Sequence, residues 1–140
     1  MNKSTLEEKY MNFLKEEGYK PKIIEGYGIV FQYEGDNYSL EFDKTQNNHQ
    51  IFTLGAGFPY DFKTDVDKIK ALALANYVNK AGRIGKIWID IESGSIDALV
   101  SFFLDNDADF KNRFSECCRI VWGVYKTFEQ RWYNDRANGA

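Results

Sequence analysis

Few side chains of this 140-residue sequence are suited to catalysis. The one histidine is His49, and no Ser or Cys stands with it in a pattern typical of a nucleophilic triad. The two cysteines, Cys117 and Cys118, are adjacent, and neighbours on a helix point about 100° apart and rarely form a disulfide. We interpret His49 as a surface residue at the end of a strand, and the cysteines as reduced residues of the core and its boundary.

Recognisable motifs for phosphate, dinucleotide or metal binding are absent from the sequence. The segment GAGF at Gly55–Phe58 lacks the lysine and the strand–loop–helix context of a phosphate-binding loop. Neither HExxH nor CxxC occurs. The sequence therefore predicts no cofactor, no metal site and no enzymatic activity.

Three carboxylates, Asp90, Glu92 and Asp97, fall on one face of a predicted β-hairpin. With Ser93-Gly94 as a two-residue turn, the hairpin pairs Asp90 with Asp97, and like charges in such a pair are normally destabilising. Carboxylate pairs can catalyse, but catalysis needs a cleft, and this face is an open sheet surface. A solvated acidic edge and a protein-binding patch both remain open. A weak cation site is the poorest of the interpretations, because the sequence has no ligand loop with defined spacing.

An exposed aromatic residue stands on the same face. The predicted register places Trp88 opposite Leu99, which makes an apolar pair on the solvent side of the hairpin. Exposed tryptophans are typical of binding hot spots. We therefore predict a partner-binding surface at Trp88, Leu99, Asp90, Asp97 and Glu92. The other face points to the core and holds Ile87, Ile89, Ile91, Ile96, Ala98, Val100 and Phe102.

The helix before this hairpin is predicted from Thr64, a suitable N-cap, to Gly82, a suitable C-terminal residue. It is apolar nearly all round, which is typical of a helix buried on two sides. The face predicted to point inward holds Val66, Ile69, Leu72, Ala73, Asn76 and Tyr77, with Asn76 bonded to a strand edge. The opposite face could pack inside the same domain or form a homodimer, and it holds Ala71, Leu74, Ala75 and Val78.

The rest of the chain alternates strands and helices. Two strands flank a turn at Gly35-Asp36, and their alternation predicts one buried face with Ile29, Phe31, Tyr33, Tyr38, Leu40 and Phe42. A third strand runs from His49 to Gly55, and an aromatic loop from Ala56 to Lys63 contains Phe58 and Phe62. A long last helix carries an apolar stripe from Phe110 to Trp132. The predicted fold class is α+β, one antiparallel sheet of about five strands with helices on one face, in the order α-β-β-β-α-β-β-α.

Composition restricts the function classes further. Net charge is −3 and the isoelectric point is about 5.2, which argues against nucleic-acid binding. The sequence has no apolar run of transmembrane length and no secretory signal pattern. We therefore expect one cytoplasmic domain, residues 1–140, with no membrane contact.

Three segments resemble the YbjN family of bacterial proteins regarded as sensory-transduction regulators, which has the type III secretion chaperone-like fold. They are GIVFQYEGDNYSLEF in the first hairpin, ALALANYVNK in the central helix and GKIWIDIESGSI in the second hairpin. The resemblance implies a non-enzymatic module that binds a protein or peptide segment, in a fold whose members often dimerise. It supplies no catalytic residues.

The leading hypothesis is thus a protein-binding module, chaperone-like or a regulatory adaptor. An immunity-type protein that inhibits a toxin through the acidic face is the alternative. A small enzyme comes third, because it would need a deep polar pocket beneath the Phe58–Phe62 loop.

Overall fold

The computed structural model describes residues 3–26, 28–44, 50–104 and 107–137. His49, whose role was predicted from the sequence, lies outside the described residues. These described residues form three helices and six strands: α1 Lys3–Glu16, β1 Lys22–Ile24, β2 Gly28–Tyr33, β3 Asp36–Lys44, β4 Gln50–Pro59, α2 Asp65–Ala81, β5 Lys86–Asp90, β6 Ser95–Phe103 and α3 Asp107–Ala137.

All six strands form one antiparallel sheet in the order β1-β2-β3-β4-β6-β5. The predicted fold class is confirmed, with β1 as an additional short strand. The chain leaves the sheet after β4, forms α2, and returns with β5 at the far edge before β6 pairs with β4. The hairpin β5–β6 is therefore joined to the meander β1–β4 by its second strand.

Alternation along β2 and β3 places five of the six predicted residues in the core, and the sixth, Tyr33, is half-buried and packs against it. Ile29, Phe31, Tyr38, Leu40 and Phe42 are at most 4 % exposed. The turn between these strands is Glu34-Gly35, one residue earlier than the sequence predicts, with φ of 51° and 83°. Two positive φ angles are the signature of a type I′ turn, whose twist matches that of the flanking strands.

Helices α1 and α3 cover the inner face of the sheet. Tyr10 of α1 stacks on Phe42 of β3 at 4.8 Å between ring centroids, and it contacts Phe110 of α3 at 4.1 Å. The apolar stripe predicted for the last helix is confirmed, because every member is buried: Phe110, Phe114, Cys117, Cys118, Val121, Tyr125, Phe128 and Trp132.

The predicted orientation of α2 is wrong. The four residues assigned to a dimer face, Ala71, Leu74, Ala75 and Val78, point into the chain's own core, and three of them are fully buried there. The predicted inward face is exposed instead, with 60 % of Val66 and 66 % of Ile69 accessible. The small side chains lie inward because α2 packs closely beside β5 and α3.

The aromatic segment after residue 55 is also different from its prediction. Ala56 to Pro59 continue β4 rather than starting a loop, and the Phe58 ring stacks on Tyr125 of α3 at 3.6 Å. Phe62 is 9 % exposed and contacts the Trp132 ring at 5.8 Å. This segment therefore closes one end of the core.

Candidate protein-interaction surface

The β5–β6 hairpin has a longer turn than its sequence predicts. Asp90 pairs with Ser95, so four residues, Ile91 to Gly94, connect the strands. Asp90 closes this turn: its carbonyl accepts from the Gly94 N–H at 3.0 Å, and its carboxylate accepts from the Ser93 N–H at 3.2 Å. Gly94 is at φ 68°, which favours glycine at the last position of the turn.

The longer turn shifts the pairing by two residues. Trp88 therefore lies opposite Asp97, and Leu99 lies opposite Lys86. The predicted pairs Trp88–Leu99 and Asp90–Asp97 are wrong, although the faces are right, because a shift of two preserves the alternation of side chains. The assignments of Ile91 to the core face and of Glu92 to the outer face are also wrong, because both residues belong to the turn rather than to a strand. Ile91 is 40 % exposed.

Trp88 is held on the outer face of the sheet by one hydrogen bond. Its indole Nε1–H donates to Oδ2 of Asp97 at 3.0 Å, and 52 % of the side chain stays exposed. The other carboxylate oxygen, Oδ1, lies against Gly57 of β4, where an added Cβ would come within 3.0 Å of it. Gly57 thus provides the space in which the Asp97 carboxylate accepts from Trp88.

The strands beside this pair present small side chains. Gly55 lies opposite Leu99, and a Cβ at Gly55 would come within 3.3 Å of the Leu99 Cβ. Farther along, the hydroxyls of Thr53 and Ser101 share a hydrogen bond of 2.7 Å. Sequence reasoning missed Gly55 and Gly57, although alternate glycines within a strand signal a close approach of neighbouring groups.

The pKa values of Asp90 and Asp97, the two carboxylates that the sequence placed opposite each other, are shifted in opposite directions. Burial raises the pKa of Asp97, and the indole N–H only partly offsets that effect. At Asp90, hydrogen bonds from Ser93, above all from its backbone N–H, lower the pKa. Asp90 therefore acts as a turn-closing anion, and Asp97 as a partly desolvated acceptor for Trp88.

The two cysteines of the chain lie in its core. Cys117 and Cys118 are free and buried, and burial raises their pKa values to about 11 and about 12, so both stay as thiols at neutral pH. Within the described ranges, no group of three or more His, Cys, Asp or Glu is placed to hold a metal ion. The depression between Tyr60 and the β5–β6 turn is open to solvent rather than a deep pocket.

A long helix packed across one face of a meander-plus-hairpin sheet defines an α+β fold of YbjN type. The crystal structure of YbjN from E. coli, described as a proposed transcription regulator, superposes with a TM-score of 0.57. The match covers 84 % of this chain and 86 % of that chain at 11 % sequence identity, and so shows the shared fold.

Comparisons of sequence alone, unlike the comparison of structures, find no match. Neither a protein-family model nor a curated protein matches the chain. Of the helices in the part of the chain that is described, none is both long and apolar enough to cross a bilayer.

Proposed function

We propose that this chain is a cytoplasmic, non-enzymatic module that binds another polypeptide, in the manner of a regulatory adaptor or chaperone. The binding surface is the outer face of the β5–β6 hairpin, with Trp88, Leu99, Asp90 and Asp97, together with Glu92 in the turn. The observation that carries the proposal is Trp88, a large aromatic side chain that is half exposed yet fixed by a hydrogen bond.

A fixed tryptophan suits recognition for two reasons. Its indole offers a large apolar area, and tryptophan is enriched among residues that dominate interface energies. Because Asp97 already restrains the Trp88 ring, a partner loses less side-chain entropy on ordering it. The charged residues Lys86 and Asp90 flank the ring along β5, as polar groups do at the rim of an interface.

The likeness to YbjN supports a regulatory role of this kind. That protein is described as a proposed transcription regulator. In the present chain the net charge of −3 disfavours binding to nucleic acid, so we propose that regulation proceeds through contact with a protein.

A second candidate function is inhibition of a basic protein, such as a toxin, by the acidic side of this surface. Asp90 is exposed at the end of β5 and Glu92 is exposed in the turn that follows, and the hydrogen bonds at Asp90 favour its charged form. Such a complex would weaken steeply as salt is added, since exposed charges are screened beyond a Debye length of about 8 Å at physiological ionic strength. A chaperone-like complex centred on Trp88 would show a weak dependence on salt.

Capture of a partner from native cell lysate, followed by titration with the purified partner, tests the proposal. Trp88→Glu should raise the dissociation constant by about 30-fold or more, as expected for a hot spot of about 2 kcal/mol. Ile23→Glu is the control, because Ile23 is also 52 % exposed but lies on β1 at the opposite edge of the sheet. Equal affinities for wild type and Trp88→Glu would refute the assignment of this surface.

A further inference from the structure

A recess lies beside Trp88 on the outer face of the sheet. Trp88 of β5 is paired with Asp97 of β6, and Asp97 is paired with Gly57 of β4, so the three residues form a row across neighbouring strands. Gly57 is exposed and has no side chain, which leaves a gap in this row. Among the described residues, the Asp97 carboxylate is the only group that an added Cβ at Gly57 would meet within 4 Å. The space above Gly57 is therefore open to a group from another molecule.

The Asp97 carboxylate borders this recess with unused hydrogen-bonding capacity. Oδ2 accepts from the Trp88 indole, whereas Oδ1 lies against Gly57 and accepts from no group in the described part of the chain. Burial raises the pKa of Asp97, the indole N–H partly offsets that rise, and the Asp90 carboxylate adds to it. A carboxylate that is partly removed from water and is near another negative charge gains from a cationic donor.

We infer that the recess binds the guanidinium group of an arginine on the surface of the partner protein. The aliphatic stem of that arginine packs on the exposed face of the Trp88 indole, and its guanidinium donates to Oδ1 of Asp97 above Gly57. The inference names the partner chemistry of the surface around Trp88, and it rests on the proposed function.

The form of the site favours arginine over lysine. The Trp88 ring is fixed by its hydrogen bond to Asp97, and a planar guanidinium stacks well on an aromatic ring. Asn37 of β3 continues the row on the other side of Gly57, since Tyr38 and Ala56, the residues next to them, are paired. A guanidinium has five N–H groups, so it can donate to Oδ1 and to the Asn37 amide oxygen together. A lysine ammonium is more strongly hydrated and loses more on entering the recess.

The charges of the outer face suit a basic partner. Carboxylates of the described strands β3, β5 and β6 point to this face: Glu41, Asp43, Asp90 and Asp97. The lysines of this face in the described strands, Lys22 and Lys86, lie on the edge strands β1 and β5. The middle of the sheet, where the recess lies, is therefore acidic, and its field would attract a basic surface during encounter.

Titration of isotope-labelled protein with the blocked peptide acetyl-Gly-Gly-Arg-Gly-Gly-amide, followed by NMR, tests the inference. We expect saturable shifts of the Trp88 indole N–H and the Gly57 amide at millimolar peptide. The peptide with lysine in place of arginine should bind about fivefold more weakly, the equivalent of one lost hydrogen bond.

Asp97→Asn tests the charge at the recess. The variant keeps a carbonyl oxygen that can accept from the Trp88 indole, but it removes the negative charge. It should weaken binding of the arginine peptide about tenfold or more. Asp43→Asn is the control, because it removes an exposed carboxylate from the same face on β3 and should change the affinity by about twofold or less.

Gly57→Ala tests the space itself while the carboxylate remains. The added methyl group would lie 3.0 Å from Oδ1 and would fill the recess, so the peptide-induced shifts should disappear. Gly123→Ala is the matched control, since its methyl group meets nothing within 4 Å on α3, and it should bind the peptide as wild type does.

The same variants separate this inference from the proposed function. A partner that binds through an arginine should lose affinity for Gly57→Ala and Asp97→Asn as well as for Trp88→Glu. A partner that is lost with Trp88→Glu but binds Gly57→Ala as tightly as wild type would overturn the arginine site and leave the proposed function intact. Absence of saturable shifts, or equal binding of the arginine and lysine peptides, would also overturn the inference.

Discussion

The side-chain amide of Asn79 makes both hydrogen bonds that a neighbouring strand would make to Ile87. Its Nδ2 donates to the Ile87 carbonyl, and its Oδ1 accepts from the Ile87 N–H, each at 2.8 Å. Ile87 belongs to β5, the strand at the edge of the sheet. An unpaired sheet edge invites association with other chains, so Asn79 protects this edge while it fastens α2 to the sheet.

Replacement of Asn79 by alanine should lower the free energy of unfolding by about 2 kcal/mol. The change leaves the N–H and the carbonyl of Ile87 without their partner, and unsatisfied groups at a residue 1 % exposed are costly. Urea denaturation measures the effect. Asn112→Ala, at an exposed position of α3, should stay within about 0.5 kcal/mol of wild type. Equal losses in the two variants would contradict this role of Asn79.

Replacement of Asp97 by asparagine should change how stability depends on pH. The pKa of Asp97 is raised in the folded protein above its ordinary value of 3.8, so the folded state holds the proton more tightly. The stability this provides is full below pH 3.8 and is lost as pH rises through the folded pKa. Wild type should therefore lose stability relative to Asp97→Asn across this range, as measured by urea midpoints.

Asp90→Asn provides the control of opposite sign. Because the pKa of Asp90 is lowered, its carboxylate contributes stability above pH 3.8 that is lost as pH falls. Wild type should therefore gain stability relative to Asp90→Asn as pH rises. Parallel pH profiles for the two asparagine variants would show that the surroundings of the two carboxylates do not differ as described.

Replacement by alanine should change the stability in opposite directions at Gly123, inside α3, and at Gly85, which packs against α3. Gly123 lies inside α3, and an added Cβ meets nothing within 4 Å, so Gly123→Ala should stabilise the protein by about 1 kcal/mol. At Gly85 the added Cβ would clash with a Val124 methyl, so Gly85→Ala should cost about 1–3 kcal/mol. Thermal denaturation compares them, and changes of the same sign would refute the argument.

The sequence could predict elements in which apolar and polar residues are clearly separated. The α3 stripe and the faces of β2 and β3 were assigned correctly, because each has one apolar side. α2 has apolar residues on both sides, and the larger ones, Val66 and Ile69, suggested the wrong face. The space between α2, β5 and α3 accommodates only small side chains such as Ala71 and Ala75, and a distance between elements is not encoded in periodicity.

For the candidate site, the sequence predicted the correct face of the hairpin but the wrong cross-strand pairs. Alternation alone placed Trp88, Asp97 and Leu99 on the outer face, but their partners depended on a turn whose length is fixed by hydrogen bonds at Asp90. The sequence predicted that Asn76 is bonded to a strand edge, but Asn76 is exposed and Asn79 makes those hydrogen bonds. Both are amides on α2, and only the position of β5 decides which one reaches it.

The covering of the sheet by α3 has a consequence for biosynthesis. Strand β6 ends at Phe103, so the whole sheet has been translated before the 31 residues of α3 exist. At about 5–20 residues per second, those residues take about 2–6 s to make. During that interval Phe52 and Phe58 of β4 lack the α3 side of their core. Apolar surface that is exposed in this way promotes aggregation. We therefore expect the translation rate over residues 107–137 to influence how much of the protein escapes aggregation.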